Sequence, residues 1–440
     1  RFVVTTWMMD EMSGSSGPLL HWVVHLIALL IICVLLIGRF ETSDNKAVPR
    51  NSVRQRHAAA KPSQNLRAKP SQNIERASSA KAALALTAHN KPAAAAATTG
   101  RRLMSSEKKV LITGITGMIG SAVAEVLHNQ GGNEIHGLVR WRSSVHNLKK
   151  VLRHINLHYG DIQDPHFMHK MIDEVRPDVI YHFAAQAYNG VSWDSPAYTL
   201  TANIIGTLNI LEPLRVLKMK QCMLVVAGSS TEYGHTTSFW EGPIPETAPL
   251  IPVTPYGVSK VTTEMLCRQY FLNYKIPVVI VRFFVHVGTG HTENQAIQSF
   301  CLQVAEIEAG IRPPVLKVGN LDTARDITDI HDAAPVVVQL STVGVPGEAY
   351  NMASQKAIKM QDVLNTILSV SKVPNIKVEK DASRLRAYDE KVLLGDNTKV
   401  RNATGWVPAP NFRRTVLDIL NYWRGEVAIR YNLRYRPVSH

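Results

Sequence analysis

Tyr256 and Lys260 in the run Pro255-Tyr-Gly-Val-Ser-Lys260 stand four residues apart, on one face if the segment is helical. A free phenol, with a pKa of about 10, exchanges protons poorly near neutrality. A nearby ammonium favours the phenolate and tunes the phenol for proton exchange with a sugar or alcohol oxygen. Gly228-Ser229-Ser230 supplies a hydroxyl, from Ser229 or Ser230, that can hold that oxygen in place. In this reading serine orients, Tyr256 transfers the proton and Lys260 tunes it, while a hydride moves to or from a nicotinamide.

Such a trio needs a scaffold that converges on a cofactor. Val110-Leu-Ile-Thr113 reads as a short strand, followed by Gly114-Ile-Thr116-Gly117-Met118-Ile119-Gly120 and a helical stretch to about residue 129. A strand, a glycine turn and a helix N-terminus form a phosphate cradle, because backbone N–H groups and the helix dipole favour the pyrophosphate charge. Further strand-like runs are 134–139, 155–159, 179–183, 223–227 and 278–282, mostly separated by helical stretches. The alternation predicts an α/β, doubly wound parallel sheet covered on both faces, a Rossmann domain, with the Tyr256 helix between its fifth and sixth strands.

The second strand runs into Arg140-Trp-Arg142-Ser143, where an NAD site would place an acid for the ribose hydroxyl. Arginines suit the 2′-phosphate of NADP instead, unless they are simply solvated. Asp161 and Ile162, after the third strand, are placed to meet the adenine edge. Asp161 equally suits a helix N-cap.

Taken together, these residues resemble the extended short-chain dehydrogenase/reductases that modify nucleotide sugars, over about residues 108–425. Within that group the similarity is to GDP-4-dehydro-6-deoxymannose reductases and, next, GDP-mannose 4,6-dehydratases. It is carried by Ala184-Ala185-Gln186, Gly190-Val-Ser-Trp193, Asn203-Ile-Ile-Gly206-Thr-Leu-Asn209 and Gly228-Ser-Ser-Thr-Glu-Tyr-Gly234. The Tyr256 motif, Val318-Gly-Asn-Leu321 with Arg325-Asp326, Arg384-Leu-Arg386, Leu394-Gly-Asp396 and Ala403-Thr-Gly-Trp406 complete it. The resemblance implies an NADP-dependent enzyme acting on a GDP-linked sugar. It adds Ala184, Ala185 and Gln186 to the cofactor side and makes residues 284–425 a smaller substrate-binding part with some return to the sheet. There Gln186, Glu232, Val285, His286 and Asp389 would face substrate, while Arg325 and Arg386 would grip the diphosphate through their planar forks. It also implies a homodimer through the Tyr256 helix.

Several positions depart from the family pattern. Arg282-Phe-Phe-Val285-His286-Val-Gly288-Thr289-Gly290-His291 has Val285 for an asparagine, and Thr289 and His291 for proline and glutamine. Ala387 replaces a proline. A dehydratase requires a glutamate two residues beyond its catalytic hydroxyl. Aligned on Tyr233, the hydroxyl is Ser229 and the glutamate position holds Thr231, which favours a reductase. Aligned on Ser230, Glu232 restores the dehydratase spacing at the expense of a deletion before Tyr233. The first alignment is preferred because it needs no deletion. A non-catalytic NADP-binding subunit of a membrane assembly is the alternative outside enzymology, and the intact Ser, Tyr and Lys argue against it.

The rest of the chain sets the context. Of its 440 residues, 1–107 hold 14 Lys/Arg against 6 Asp/Glu, a net +8, and the remainder holds 35 against 29, a net +6. The basic excess is thus concentrated outside the folded part, and no nucleic-acid recognition motif accompanies it. Cys33, Cys222, Cys267 and Cys301 form no C-x-x-C pair, so neither a disulfide scaffold nor a zinc or other metal site is expected. Residues 1–18 lead into Leu19–Gly38, 20 residues without a formally charged side chain, long enough as a helix to cross a bilayer. More Lys/Arg follow that span than precede it, which predicts a catalytic domain facing the cytosol. Residues 39–107 are Ala-, Ser-, Lys- and Pro-rich, with the octad 60–67 recurring as 68–75, and read as a flexible basic tether. Met104 would begin a shorter, unanchored form. Residues 426–440 read as a tail.

Overall fold

A computed structural model of the protein describes residues 107–385, 388–409 and 411–433. The apolar segment 19–38, all but the last residue of the tether, Arg386, Ala387 and the end of the tail lie outside the described residues. Among the described residues no helix is long and apolar enough to cross a membrane.

The strands are β1 Lys108–Thr113, β2 Asn133–Val139, β3 Ile155–Tyr159, β4 Val179–His182, β5 Met223–Ser229, β6 Val278–Phe283, β7 Val285–Val287, β8 Val315–Val318, β9 Ala324–Asp329, β10 Ala349–Met352, β11 Ala357–Lys359, β12 Lys377–Lys380 and β13 Val392–Leu393. The helices are α1 Met118–Gln130, α2 Pro165–Val175, α3 Asn189–Asp194, α4 Pro196–Leu200, α5 Gly206–Val216, α6 Pro255–Tyr274, α7 Ala296–Glu308, α8 Ile330–Val343, α9 Met360–Ser369, α10 Thr398–Thr404 and α11 Phe412–Arg430.

Seven strands form one sheet in the order β10-β6-β5-β4-β1-β2-β3. Every pairing in it is parallel. Buried on both faces, these strands read as near-continuous apolar runs; β4 and β6 are buried along their whole length. One face is covered by α1 and α8, with Val123, Leu127, Val337 and Leu340 in a common core. The other is covered by α2, α5 and α6, through Met168, Ile172, Leu211, Leu214 and Tyr270. From β1 the strand order runs outward one way through β2 and β3 and the other way through β4, β5 and β6, so the C-terminal ends of β1 and β4 open a crevice, the usual ligand position of a doubly wound sheet.

The smaller part centres on β9, which pairs antiparallel with β11 and parallel with β7 and β13. Its core, including Phe300, Val304, Leu364, Ile419 and Trp423, is separate from those of the main sheet. The chain returns to the main sheet through α8 and β10, and Val400 and Trp406 also join its core.

The glycine turn is defined by close approach. Gly114 has φ of 70°, and a Cβ there would lie 2.6 Å from the Ala184 nitrogen. A Cβ on Gly120 would lie 2.3 Å from the Gly114 carbonyl oxygen. Helix α1 therefore starts against the turn only because both side chains are absent. Replacing Gly120 with Ala should lower stability by about 1–3 kcal/mol through overpacking and weaken dinucleotide binding, as read by thermal unfolding and by NADPH titration.

Candidate active site

The α1 N-terminus faces the crevice with its donors uncovered. Gly117 is the N-cap, so it contributes no capping side chain, and no acidic residue sits in the first turn. Gly117 N–H donates to the Gly114 carbonyl at 3.0 Å, fixing the turn. The N–H groups of Met118, Ile119 and Gly120 suit a pyrophosphate. Thr116 is tied down from outside: Asn147 Nδ2 donates to its carbonyl at 3.0 Å and to that of Gly290 at 2.8 Å. Arg140 and Arg142 are exposed beyond β2, in a turn closed by Ser143 N–H on the Arg140 carbonyl. Arg140 also donates to the Tyr198 hydroxyl at 3.3 Å.

Some predicted cofactor residues act indirectly. Asp161 Oδ1 accepts from Gln163 N–H, so its carboxylate closes its own turn. The Ile162 side chain enters the core beside Gly206, and its carbonyl is taken by Asn209. Ala184 and Ala185, half-buried, follow β4 at the crevice. Gln186 is corrected from a ligand-binding residue to a brace: both Nε2 hydrogens go to the Tyr188 carbonyl and Thr199 Oγ1, and Oε1 accepts from Tyr188 N–H. Its main chain is in turn gripped by Asn203, which also donates to Ser259 Oγ on α6. Asn203 lies in a π turn, Thr201–Ile205, that joins α4 to α5.

At the end of β5, Ser229 rather than Ser230 shares a hydrogen bond with Tyr256. Thr231 donates twice to Ser229 Oγ, from its N–H at 3.2 Å and its hydroxyl at 2.9 Å. With its lone pairs engaged, the Ser229 hydroxyl directs its own proton toward Tyr256. Helix α6 starts on Thr254, whose Oγ1 accepts from Gly257 N–H at 3.0 Å, with Pro255 preset in the first turn. A Cβ on Gly257 would lie 2.7 Å from the Thr231 carbonyl, so the glycine inside the motif lets the helix meet the serine turn.

Lys260 Nζ donates to the Ala227 carbonyl at 2.7 Å and sits 5.8 Å from the Tyr256 ring centroid. Burial pushes the Lys260 ammonium down to about 8, against the pull of Glu232. Burial also pushes the Tyr256 phenol up to about 12, outweighing the bond from Ser229. Desolvation thus dominates the phenol's direction of shift and favours a protonated Tyr256 at neutral pH.

Glu232 is also corrected. It is fully buried beneath the turn, its Oε1 accepting from Ser229 N–H at 2.7 Å, and it does not face the crevice. Arg325 and Asp389 are brought together as partners of one another: Arg325 Nη2 pairs with Asp389 and Nη1 donates to the Glu390 carbonyl. At 8% exposure, Arg325 is thus committed to protein groups rather than presented to a diphosphate. Val285 packs on the smaller core. His286 is buried, its Nδ1 directed at the Phe284 carbonyl, and desolvation holds it neutral by pushing its pKa down to about 4. Among the described residues no group of His, Cys, Asp and Glu is arranged to hold a metal.

A buried polar chain under the crevice carries no local sequence motif. Thr207 Oγ1 donates to the Asn203 carbonyl, so His182 Nε2 must donate to Thr207, leaving Nδ1 to accept from Thr113. The one visible sign is a threonine and a histidine at the ends of apolar strands.

The model of the family described as "GDP-mannose 4,6 dehydratase" matches residues 111–419. The chain belongs to that family. It is an enzyme of the nucleotide-sugar dehydratase and reductase group of extended short-chain dehydrogenase/reductases, of the kind acting on GDP-linked sugars. A GDP-6-deoxy-D-mannose reductase of Pseudomonas aeruginosa is 29% identical over 272 residues, covering 61% of this chain and 88% of that one. A GDP-mannose 4,6-dehydratase of Yersinia enterocolitica is 30% identical over 339 residues, covering 68% and 90%. The solved structure of RMD from Pseudomonas aeruginosa, complexed with NADPH, matches with a TM-score of 0.60 at 25% identity, covering 72% of this chain and 99% of that one.

Desolvation, reinforced by the Lys260 charge, pushes His182 down to about 3 in this family member. As pH falls below the ordinary histidine value of 6.5, the unfolded chain takes up a proton that native His182 refuses. Stability should therefore be intact above that value and fall by about 1.4 kcal/mol per pH unit for this group on acidification toward the native value. His182→Asn should flatten the slope in denaturant titrations across that window.

Proposed function

We propose that the protein is an NADP-dependent reductase of the C4 ketone of a GDP-linked 4-dehydro-6-deoxyhexose. The observation that carries the reading is Thr231. It stands where a dehydratase needs a carboxylate, and it uses its hydroxyl to aim Ser229. The exposed Arg140 and Arg142 support NADP over NAD, as does the NADPH in the solved relative.

NADPH would supply the hydride. The Ser229 hydroxyl would donate to the ketone oxygen and polarise it. Tyr256, protonated at neutral pH, would deliver its Oη proton to the developing alkoxide, leaving a phenolate stabilised by the Lys260 ammonium. The α1 N–H groups would hold the pyrophosphate. A dehydratase is the second reading, favoured by the family model, and would have to act without a carboxylate at position 231.

A protein of residues 105–440 given NADPH and GDP-4-dehydro-6-deoxymannose should consume NADPH and form a 6-deoxyhexose. Tyr256→Phe should cut turnover by about 100-fold or more with NADPH affinity unchanged. NADPH binding without oxidation, together with conversion of GDP-mannose in the presence of NADP, would establish the dehydratase instead. Bound cofactor with neither activity would leave a structural subunit.

We also propose a homodimer built on α6. Val258, Met265 and Leu272 recur every seventh residue and are 42%, 46% and 64% exposed, an apolar stripe along one side of the helix. Ile205 and Val216, at either end of α5, are likewise exposed. Met265→Glu with Leu272→Glu should convert a dimer to a monomer in sedimentation velocity; wild-type protein sedimenting as a monomer would refute the assignment.

A further inference from the structure

Tyr256, Lys260 and Glu264 recur every fourth residue along α6, so the stripe bearing the reactive pair continues one turn deeper. At that depth Glu264 accepts from Arg282 Nε at 2.9 Å and Nη2 at 2.7 Å, and from Arg268 Nε at 3.0 Å. Arg282 Nη1 donates to the Tyr233 hydroxyl at 2.9 Å and the Glu246 carbonyl at 3.0 Å. Four of the five guanidinium N–H groups are therefore engaged before Glu232 is considered.

Glu232 shares this buried site, yet its closest approach to Arg282 is Oε2 to Nε at 3.5 Å. Its Oε1 accepts from Ser229 N–H, and its Oε2 has no donor among the described residues. An ionised Glu232 would be a second buried anion beside one cation already paired, an arrangement that strongly favours neutralisation. The Glu264 carboxylate is a side-chain neighbour of Glu232, and two carboxyl groups can share a hydrogen bond only with a proton between them.

We propose that Glu232 is a positioning residue kept as a neutral carboxylic acid, its Oε1 fixing the main chain of Ser229 and its Oε2 proton shared with Glu264. The two glutamates, Arg282 and the serine turn then form one connected unit beneath Tyr256 and Lys260. Burial and the neighbouring Glu264 charge push the Glu232 carboxyl well above the usual range. Burial opposes ionisation of Glu264 too, but the Arg282 fork overcomes it and holds that group low. The charged and titratable groups interacting with Glu232 are Glu264, Lys260, Tyr256 and Cys267 from α6 and Arg282 from β6. An anion at Glu232 would raise both Lys260 and Tyr256, so its neutrality keeps the proton donor independent of the buried pair.

The test compares Glu232→Gln with Glu232→Leu in the full chain. Glutamine keeps an acceptor for Ser229 N–H and gives a donor to Glu264, so turnover should stay within about threefold and its pH profile should keep its shape. Leucine removes both contacts, and kcat should fall at least about tenfold with the NADPH KM unchanged. Infrared spectroscopy at neutral pH should show a protonated-carboxyl C=O band in the unsubstituted protein that Glu232→Gln abolishes. The kinetic comparison rests on the reductase reading, whereas the infrared band does not, and it decides the proposal if the leucine variant fails to fold. Glutamine as damaging as leucine, or no such band assignable to Glu232, would overturn it.

Discussion

The guanidinium of Arg282, 2% exposed, is the interaction on which the geometry of the site depends. It lies on β6, between β5 and the edge strand β10, and binds Glu264 of α6, Tyr233 of the serine turn and the carbonyl of Glu246 in the following loop. Tyr233 passes the connection on, donating to Asn351 of β10 at 2.7 Å. A delocalised cation that stays charged when buried can hold several separate segments in one register, which a lysine in the same place would do less well. Removing it would leave the buried Glu264 carboxylate uncompensated, a far larger penalty than the pairing itself contributes. The helix carrying Tyr256 and the strand end carrying Ser229 are thus referenced to the same group.

A second polar system serves the other side of the crevice. Thr113, His182 and Thr207 run beneath β1, β4 and the start of α5, and Asn203 carries the connection to Gln186 and Ser259. Both systems are buried and almost fully satisfied, the condition under which buried polar groups specify one arrangement rather than weaken the core. The cradle lies between them. Its shape follows from absent side chains, whereas the reactive edge is shaped by ones that are present.

Much of this was legible in the sequence, for identifiable reasons. Strands of a sheet covered on both faces are unbroken apolar runs, so β1, β4, β5 and β6 were located to within a few residues, while the edge strand β3, half-buried with Asn156 and His158 alternating against apolar residues, was located at its true ends by that alternation. β10 escaped notice because it is short and carries Asn351, whose side chain is consumed by Tyr233, Ile244 and Asp396. The glycine turn and the Tyr256–Lys260 spacing were readable because each is a local arrangement. Glu232, Gln186 and Arg325 were identified by type but not by direction. Their orientation depends on partners such as Glu264 or Asp389, which the chain brings near only after folding. Residue spacing likewise announces the Lys260 ammonium but not the desolvation that raises the phenol.

The π turn at Thr201–Ile205 has a consequence for how this chain can change over time. In a regular helix each residue advances the bearing of its side chain by about 100°. The widened turn absorbs one residue more than a regular turn would, setting a phase offset between the half that bears Tyr198 and Thr199 and the half that bears Thr207 and Asn209. Deleting a single residue there would leave the helix continuous and almost equally long, yet rotate its first half away from Arg140 and Gln186. No point substitution can restore such an offset; only a compensating change in chain length can.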